Sequence, residues 1–226
     1  MPQNSLRYKY VLFDLDGTIT NSEEGITKSA AYALEKMGIT EQDQERLKRF
    51  IGPPLTVSFR DFYGMNEEQA EEGMRLYRER YGVTGWKEAC VYEGIPELLN
   101  KLKEAGAKIA VATSKPQQYT DMILEHFGVA KYFGAVSGAD IAEKDSGKSG
   151  LIKKALTLLG KDDWSSCSDV VMIGDRKFDT LGAGEVGTDF IGVSYGFAPK
   201  GEFEALGVEK IASSAAELEK YLLVNE

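Results

Sequence analysis

The 226-residue sequence contains few of the residues on which several classes of protein depend. It has one histidine, His126, and two cysteines, Cys90 and Cys167, which are far apart and form no CxxC pair. The sequence therefore offers no basis for a disulfide framework, a thiolate metal site or a histidine-based triad. No apolar run approaches the roughly 20 residues of a membrane-spanning helix. The segment MPQNSLRYKY has no apolar core ahead of a cleavage site, so we expect a cytoplasmic protein.

Basic residues are also in deficit, with 27 Lys and Arg against 36 Asp and Glu and a formal net charge of -9. A nucleic-acid-binding protein usually carries a basic stripe, so this balance argues against nucleic acid as a partner. It is compatible with a locally basic pocket for a small anion. Hydrophobic residues make up 42% of the chain, which suffices for the core of one large domain or of one domain with an insertion.

Short apolar segments alternate with helical patterns along most of the chain. Strands that alternate with helices predict a parallel sheet covered on both faces. The strand-like segments are Val11–Leu15, Ile109–Ala112, Phe133–Ser137, Val170–Ile173 and Phe190–Val193. The helical patterns among and after them are Ile95–Ala105, Gln117–Phe127, Lys148–Leu159 and Leu218–Leu223.

A block without any strand pattern follows the first strand. Its helical segments are Ser22–Met37, Glu41–Phe50, Leu55–Tyr63 and Asn66–Tyr81. The sequence therefore predicts an α/β protein with a Rossmann-like parallel-sheet core, formed by residues 1–20 and 86–226, and an inserted α-helical cap at residues 21–85. We expect the chain to leave the core at Thr20–Glu23 and to rejoin it at Tyr81–Trp86.

Polar side chains follow three of the predicted strands. Asp14 and Asp16 end the first strand in YVLFDLDGTIT, Thr113-Ser114 follows the second, and Asp175 follows a later one. In an open α/β sheet ligands bind beyond the carboxyl ends of the strands. Crowded carboxylates favour a hard cation such as Mg²⁺, which binds oxygen ligands together with substrate phosphate. With Lys148 as a nearby cation, these residues predict a phosphate site, and a carboxylate can itself attack phosphorus.

The same segments resemble the motifs of the haloacid dehalogenase-like superfamily of phosphohydrolases, in the family's order. FDLDGTIT matches the first motif, DxDGT; ATSKP matches the second; and GDRKFD matches the fourth, GDxxxD. The third motif is a lone lysine, for which we favour Lys148 because an apolar helical pattern begins right after it. Lys144, four residues upstream, is the alternative. The helical block looks like the family's small cap.

Further segments resemble one branch of that family, the phosphoglycolate phosphatases and 5′-nucleotidases. These segments are FIGPPL, VYEGIPELL, ATSKP, VMIGDRKFDTLGA and SYGFA. Relatives of this branch carry an arginine near position 145, where this sequence has Asp145. This departure bears on substrate or loop details and leaves the reaction type unaffected.

The resemblance implies a role for each motif residue. Asp14 would be the nucleophile that forms an aspartyl-phosphate, and Asp16 the general acid and base. Thr113, the backbone N–H of Ser114 and Lys148 would bind the phosphoryl oxygens. The alternative for the acids is a plain turn at the end of a strand, and for Thr113-Ser114 a helix N-cap that uses the same N–H groups.

The resemblance also implies a metal site for Mg²⁺, although the sequence does not distinguish Mg²⁺ from Mn²⁺. Its ligands would be Asp14, the backbone carbonyl of Asp16, and Asp175. Asp179 lies one helical turn after Asp175. It would either contact the residues that ligate the metal or act as an alternative ligand itself. The competing interpretation of Asp179 is an acid at a helix N-terminus, where the dipole favours it.

The substrate is expected to be chosen by the cap. Arg49 is our candidate for a cation that meets a second anionic group, near the turn at Gly52-Pro53-Pro54, and a solvated helix face is the alternative. Lys115 is expected to face solvent rather than substrate.

Together these features predict a cytoplasmic Mg²⁺-dependent phosphatase, monomeric or homodimeric, for a small phosphorylated metabolite such as phosphoglycolate or a nucleoside monophosphate. Two rival functions stay open. One is a phosphomutase that resembles β-phosphoglucomutase on the same scaffold, and the other is a catalytically silent regulatory binding protein. The silent protein would have lost a motif acid or the lysine, and none is missing.

Overall fold

The computed structural model of the protein describes residues 5–140 and 147–224. The chain forms two compact units. The larger unit comprises Met1–Thr20 and Val91–Glu226, and the smaller unit comprises Asn21–Cys90. The sequence predicts the second boundary at residues 85 and 86, a little before the observed one. Among the described residues no helix is both long and apolar enough to span a bilayer.

The larger unit is built on a six-stranded sheet with the order β6-β5-β2-β7-β8-β9, in which every neighbouring pair is parallel. The predicted α/β class with a parallel sheet is thereby confirmed. The strands of this sheet are β2 (Tyr10–Phe13), β5 (Lys108–Pro116), β6 (Ala135–Ala139), β7 (Val170–Gly174), β8 (Asp189–Val193) and β9 (Ile211–Ala212). The helices of this unit are α5 (Ile95–Glu104), α6 (Gln117–His126), α7 (Gly147–Leu158), α8 (Lys177–Val186), α9 (Glu202–Ala205) and α10 (Ala215–Leu222).

The apolar character of the central strands follows from their place in the sheet. β2 lies between β5 and β7, and all of its residues are buried, as are all of those in β7. Parallel strands covered on both faces lose the alternation of apolar and polar residues and become continuous apolar runs. Burying one side chain the size of Leu12 or Ile173 contributes about 1.5–3 kcal/mol, so the central strands hold their register firmly.

Two features of the larger unit differ from the sequence-based expectation. The first strand ends at Phe13, so Asp14 lies just beyond it. Three short strands escaped the prediction: β1 (Ser5–Leu6) pairs antiparallel with β10 (Leu223–Val224), and β9 extends the main sheet. Two-residue strands carry no periodic pattern, because alternation needs at least four residues to be recognised.

The smaller unit is helical. Its helices are α1 (Glu23–Lys36), α2 (Gln44–Lys48), α3 (Leu55–Tyr63) and α4 (Glu67–Tyr81). Local signals set their ends: Asn66 and Gln69 form a capping box at the start of α4, and Gly64 ends α3 in the left-handed conformation with φ 65°. Strands β3 (Thr20–Asn21) and β4 (Cys90–Val91) form a two-stranded sheet.

An ion-pair network stabilises the smaller unit. The guanidinium of Arg80 donates to both carboxylate oxygens of Glu88, at 2.8 and 2.9 Å, and to Oγ of Ser29 at 3.1 Å. The backbone carbonyl of Glu88 accepts the N–H of Gly25 at 3.0 Å. These contacts tie the segment after α4 to α1.

Candidate active site

The parallel register brings the predicted site residues to one edge of the sheet. Phe13 of β2 pairs with Val111 of β5 and with Ile173 of β7. Asp14 follows Phe13 directly, and its N–H donates to the carbonyl of Ile173 at 2.9 Å. The residues that come after these three strands therefore meet at the carboxyl edge, as expected for a ligand site.

Three carboxylates are clustered at this edge. Oxygen atoms of Asp14, Asp175 and Asp179 all lie within 4.8 Å of one another, and all three residues are buried. Oδ2 of Asp175 accepts the backbone N–H of Phe197 at 2.7 Å. Its other oxygen, Oδ1, is buried without a hydrogen-bond partner among the described residues. The cluster thus presents an unused acceptor in an acidic environment.

Lys148 joins the cluster from the first turn of α7. Its Nζ lies 2.6 Å from Oδ1 of Asp14 and 2.6 Å from Oδ1 of Asp179, and its side chain is only 6% exposed. The alternative lysine of the third motif, Lys144, lies outside the described residues. Within the part of the chain that is described, Lys148 occupies the place expected of the motif lysine.

The electrostatics of the cluster show an excess of negative charge. Burial raises the pKa of Asp175 well above its ordinary value, and repulsion from Asp179 and Asp14 raises it further. Burial also raises the pKa of Asp179 to about 6, although the attraction of Lys148 works in the opposite direction. Burial alone would lower the pKa of Lys148, but attraction by Asp14 and Asp179 outweighs it and raises that pKa. One lysine does not neutralise three buried acids.

These residues fit a hard divalent cation. All donors of the cluster are oxygens, as Mg²⁺ and Ca²⁺ prefer. The buried, unpartnered Oδ1 of Asp175 is a polar atom that binding of a cation would satisfy. The side chain of Asp16 lies outside this group, and a metal contact of its backbone carbonyl stays a prediction.

Asp16 instead forms an ion pair with Lys115. The Nζ of Lys115 lies 2.6 Å from Oδ2 of Asp16, and the lysine side chain is 6% exposed. The expectation that Lys115 faces solvent is therefore wrong. The register between β5 and β6 shifts between Ala112 and Pro116, so regular strand alternation does not determine where position 115 points.

Thr113 and Ser114 are placed differently from each other. Thr113 is buried, and its Oγ1 accepts the N–H of Lys115 at 3.3 Å, whereas Ser114 is exposed. Both lie in the last residues of β5, at the same edge as the cluster. The hydroxyl and N–H groups thus lie at the carboxyl end of the strand, and their binding of phosphate stays a prediction.

Asp179 has a second function in addition to its ion pair. Its Oδ2 accepts the backbone N–H of Arg176 at 3.0 Å and so caps the start of α8. The two interpretations from the sequence, metal support and helix N-terminal acid, are therefore compatible in the same side chain. Because Gly174 has no Cβ, the side chain of Asp179 fits directly against that residue.

The loop after β8 is the part of the site to which the sequence assigned no role. The hydroxyl of Tyr195 donates to the carbonyl of Thr18 at 3.0 Å, and the N–H of Phe197 binds Asp175. Gly17, with φ 81°, and Gly196 both lie so close to Asp175 that neither has room for a Cβ. The segment SYGFA could have indicated this loop, because it resembles the corresponding family segment, but the resemblance assigned it no role.

The two cap residues singled out from the sequence lie in the smaller unit. Arg49 ends α2, with its guanidinium carbon 4.0 Å from the centre of the Phe62 ring. Gly52 has φ 106°, a conformation that favours glycine. A part for either residue in substrate binding stays a prediction.

Comparison with known proteins identifies a family and several similar proteins. A family profile described as haloacid dehalogenase-like hydrolase matches residues 11–193. A 5′-nucleotidase of Pseudomonas aeruginosa is 43% identical over 205 residues, which cover 91% of each chain. The tyrosine-protein kinase PtkA of Mycobacterium tuberculosis is 35% identical over 187 residues, which cover 83% of this chain and 62% of that protein. The crystal structure of a "predicted phosphatase" from Clostridium acetobutylicum superimposes with a TM-score of 0.87 at 43% identity, covering 95% of this chain and 97% of that one.

The larger unit thus has an α/β fold with an acidic cluster at the carboxyl edge of its parallel sheet. The chain belongs to the haloacid dehalogenase-like hydrolases, and the expected family is thereby confirmed. Within that family its relatives identify it as a hydrolase of the phosphatase class.

Proposed function

We propose that this protein is a Mg²⁺-dependent phosphomonoesterase that acts through an aspartyl-phosphate on Asp14. The observation that carries the proposal is the environment of Asp14. It lies at the edge of the sheet, paired with Lys148 at 2.6 Å and clustered with two further buried acids. Lys148 on one side, and a metal cation bound by the two neighbouring acids on the other, would offset the negative charge of the Asp14 carboxylate. That carboxylate could then approach a phosphate dianion that it would otherwise repel.

The chain's own residues account for binding and attack. Lys148 and the hydroxyl of Thr113 would hold phosphoryl oxygens while an oxygen of Asp14 forms a bond to phosphorus. Asp16 would give a proton to the leaving oxygen and then take one from the water that releases phosphate. Asp14, the carbonyl of Asp16 and Asp175 would hold Mg²⁺, with Asp179 in support. When bound, the ion supplies charge stabilisation for the phosphoryl oxygens.

The proposed substrate is a small phosphorylated metabolite, either a nucleoside monophosphate or phosphoglycolate. The 5′-nucleotidase of P. aeruginosa supports the first, and the likeness of FIGPPL and SYGFA to the branch of phosphoglycolate phosphatases and 5′-nucleotidases is compatible with both. We further propose that the protein is cytoplasmic and is a monomer or a homodimer. Arg49 is the proposed cap contact for an anionic part of the substrate.

The experiment that tests this function is phosphate release from a panel of phosphorylated metabolites, measured with Mg²⁺ and with EDTA. Nucleoside monophosphates, phosphoglycolate, sugar phosphates and pyrophosphate form the panel. Metal-dependent release with a far higher kcat/KM for one compound is the expected result. Release that is equal in EDTA and Mg²⁺ would contradict the metal requirement.

Two other outcomes would point to rival functions. Phosphoryl transfer to Asp14 without release to water would identify a phosphomutase, which must return the group to a sugar. Neither release nor transfer would identify a silent binding protein. Because PtkA is named a kinase, transfer of phosphate from ATP to a protein tyrosine is measured in parallel, and we expect none.

A further inference from the structure

Lys115 and Asp16 form a buried ion pair in which the two carboxylate oxygens are unequal. Oδ2 of Asp16 accepts the Nζ of Lys115 at 2.6 Å. Oδ1 of the same carboxylate is buried and has no hydrogen-bond partner in residues 5–140 and 147–224. One oxygen is therefore anchored and the other is left for another partner.

The backbone that carries Lys115 is fixed on both sides. Its N–H donates to Oγ1 of Thr113 at 3.3 Å, and the hydroxyl of Thr120, which donates to the Pro116 carbonyl at 3.1 Å, lies 3.4 Å from the Lys115 carbonyl. A Cβ at Gly138 would come within 3.0 Å of the Lys115 carbonyl oxygen, so β6 lies directly against this turn of the chain. The ammonium group is thus carried by a rigid support rather than by a loose loop.

Stability alone does not explain the pair. The side chains are 6% and 19% exposed, and the cost of removing both charges from water offsets much of their attraction. What such a pair does provide is geometry, because it restricts the rotamers of both partners. A restrained carboxylate two residues beyond the nucleophile is useful where a proton has to be transferred in a defined direction.

We propose that Lys115 is a positioning residue for proton transfer: it holds Asp16 through Oδ2, so that Oδ1 is the atom that gives and takes the proton. The inference rests on the proposed function and deepens it. Lys115 is given no proton transfer of its own in this proposal and acts through Asp16.

The proton transfers occur in two half-reactions. In the first, an oxygen of Asp14 bonds to phosphorus, the bond between phosphorus and the leaving oxygen breaks, and the proton on Oδ1 of Asp16 passes to that leaving oxygen. In the second, a water oxygen bonds to phosphorus, one water proton passes to Oδ1 of Asp16, and the bond between Asp14 and phosphorus breaks to release phosphate.

The test compares leaving groups. Lys115→Met is assayed with the best alkyl phosphate of the panel and with 2,4-dinitrophenyl phosphate, whose phenolate leaves without a proton. We expect kcat/KM for the alkyl phosphate to fall at least about 10²-fold, within the range of general acid–base catalysis, while kcat/KM for the aryl phosphate changes little. The ratio kcat/KM is chosen because it reports the first half-reaction alone.

The second half-reaction has its own signature. With 2,4-dinitrophenyl phosphate, Lys115→Met should release dinitrophenol in a burst equal to the enzyme concentration, because hydrolysis of the aspartyl-phosphate is slowed. Lys115→Arg keeps a cation for Asp16 and should restore most of the alkyl phosphate activity. A residue with a merely structural role would change neither the leaving-group dependence nor the burst.

A double-mutant cycle tests whether Lys115 acts through Asp16. Asp16→Asn combined with Lys115→Met should be no slower than Asp16→Asn alone, because the anchor is irrelevant once the carboxylate is gone. The matched control is Lys161→Met, which removes the partner of Asp169 in another Lys–Asp pair, at 3.0 Å. It should leave the leaving-group dependence at the wild-type value.

Thermal unfolding establishes whether each variant is folded. If Lys115→Met is not folded, Lys115→Gln replaces it, because glutamine is neutral but keeps a hydrogen-bond donor. Equal losses for alkyl and aryl phosphates, or additive losses in the cycle, would overturn the inference. The proposed function fails separately, if Asp14→Asn keeps wild-type turnover.

Discussion

Gly182 of α8 lies directly against Lys148 of α7. A Cβ at position 182 would come within 2.7 Å of the Cβ of Lys148, closer than real Cβ atoms approach one another. The absence of a side chain at Gly182 therefore allows α7 to deliver Lys148 to Asp14 and Asp179. The proposed phosphate-binding lysine depends on the packing of two helices as much as on its own side chain.

The first prediction follows from this packing. Gly182→Ala should push the first turn of α7 away from α8, lower kcat/KM at least tenfold and destabilise the protein by about 1–3 kcal/mol, as overpacking does. The matched control is Gly184→Ala in the same helix, where nothing lies within 4 Å of the added Cβ. That control should keep full activity and gain up to about 1 kcal/mol from helix propensity. Equal effects of the two substitutions on activity would contradict the packing argument.

The second prediction concerns the nucleophile. Asp14→Asn should lower kcat at least about 10³-fold, the scale on which loss of a covalent nucleophile acts, while the variant still unfolds cooperatively. Acid-quenched mixtures with ³²P-labelled substrate should contain labelled wild-type protein and unlabelled variant. A variant that turns over at nearly the wild-type rate would eliminate Asp14 as the nucleophile.

The third prediction is a pH dependence of stability without metal. Burial raises the folded-state pKa of Asp179 to about 6, above its unfolded value of 3.8. A raised pKa makes a contribution to stability that is fully present below about pH 3.8 and is lost as pH rises through about 6. In EDTA, the free energy of unfolding of wild type minus that of Asp179→Asn should therefore fall between pH 4 and 6.5. Urea unfolding at each pH measures this difference in the free energy of unfolding. A difference that stays level or rises over this interval would contradict the raised pKa.

The smaller unit supplies a fourth prediction of opposite sign. The hydrogen bonds from Arg80, partly offset by burial, lower the pKa of Glu88 below 4.5. This contribution is present above pH 4.5 and is lost as pH falls through the lowered value. Glu88→Gln should cost up to about 1 kcal/mol at pH 7, since solvent screens the pair, and less at pH 3. The control is Glu72→Gln, which removes the more exposed pair with Arg75 and should lower the free energy of unfolding by less. A larger loss for Glu72→Gln than for Glu88→Gln would contradict the role given to Arg80.

Much of the fold was predictable from the sequence because its signals are local. Apolar runs as continuous as Val170–Ile173 admit few placements other than a central parallel strand, and the register then fixes where Asp14 and Asp175 meet. Lys148 was favoured over Lys144 because an apolar helical pattern begins right after it. The placement of Asp14 and Asp175 required only periodicity and the rule that ligands bind at the carboxyl edge, whereas the choice of Lys148 also required the resemblance to the family's third motif.

Other features depend on tertiary contacts that no local pattern encodes. The shift of register between Ala112 and Pro116 decides that Lys115 turns inward to Asp16, and an irregular strand cannot be recognised from its composition. The N–H of Phe197 binds Asp175 across 22 residues of sequence, through a backbone group that every residue possesses. Backbone donors of this kind become visible only when the loop after β8 is folded.

The last prediction separates metal binding from folding. Asp175 keeps one oxygen on the N–H of Phe197 and leaves Oδ1 buried and unpartnered among the described residues, while burial and neighbouring acids raise its pKa. Binding of Mg²⁺ should therefore raise the Tm of wild type. A ligand at 100 times its Kd adds about 2.7 kcal/mol to the free energy of unfolding. Asp175→Asn keeps an acceptor for Phe197 but removes a carboxyl group whose charged form is disfavoured by burial and by the neighbouring acids.

In EDTA at pH 7, Asp175→Asn should thus unfold at a higher Tm than wild type, and its Tm should no longer respond to Mg²⁺. The exposed Asp162→Asn is the matched control and should behave as wild type under both conditions. Differential scanning calorimetry with and without Mg²⁺ measures both effects. An Asp175→Asn variant that is destabilised in EDTA and still stabilised by Mg²⁺ would show that the acidic cluster holds the fold together and that the cation binds elsewhere.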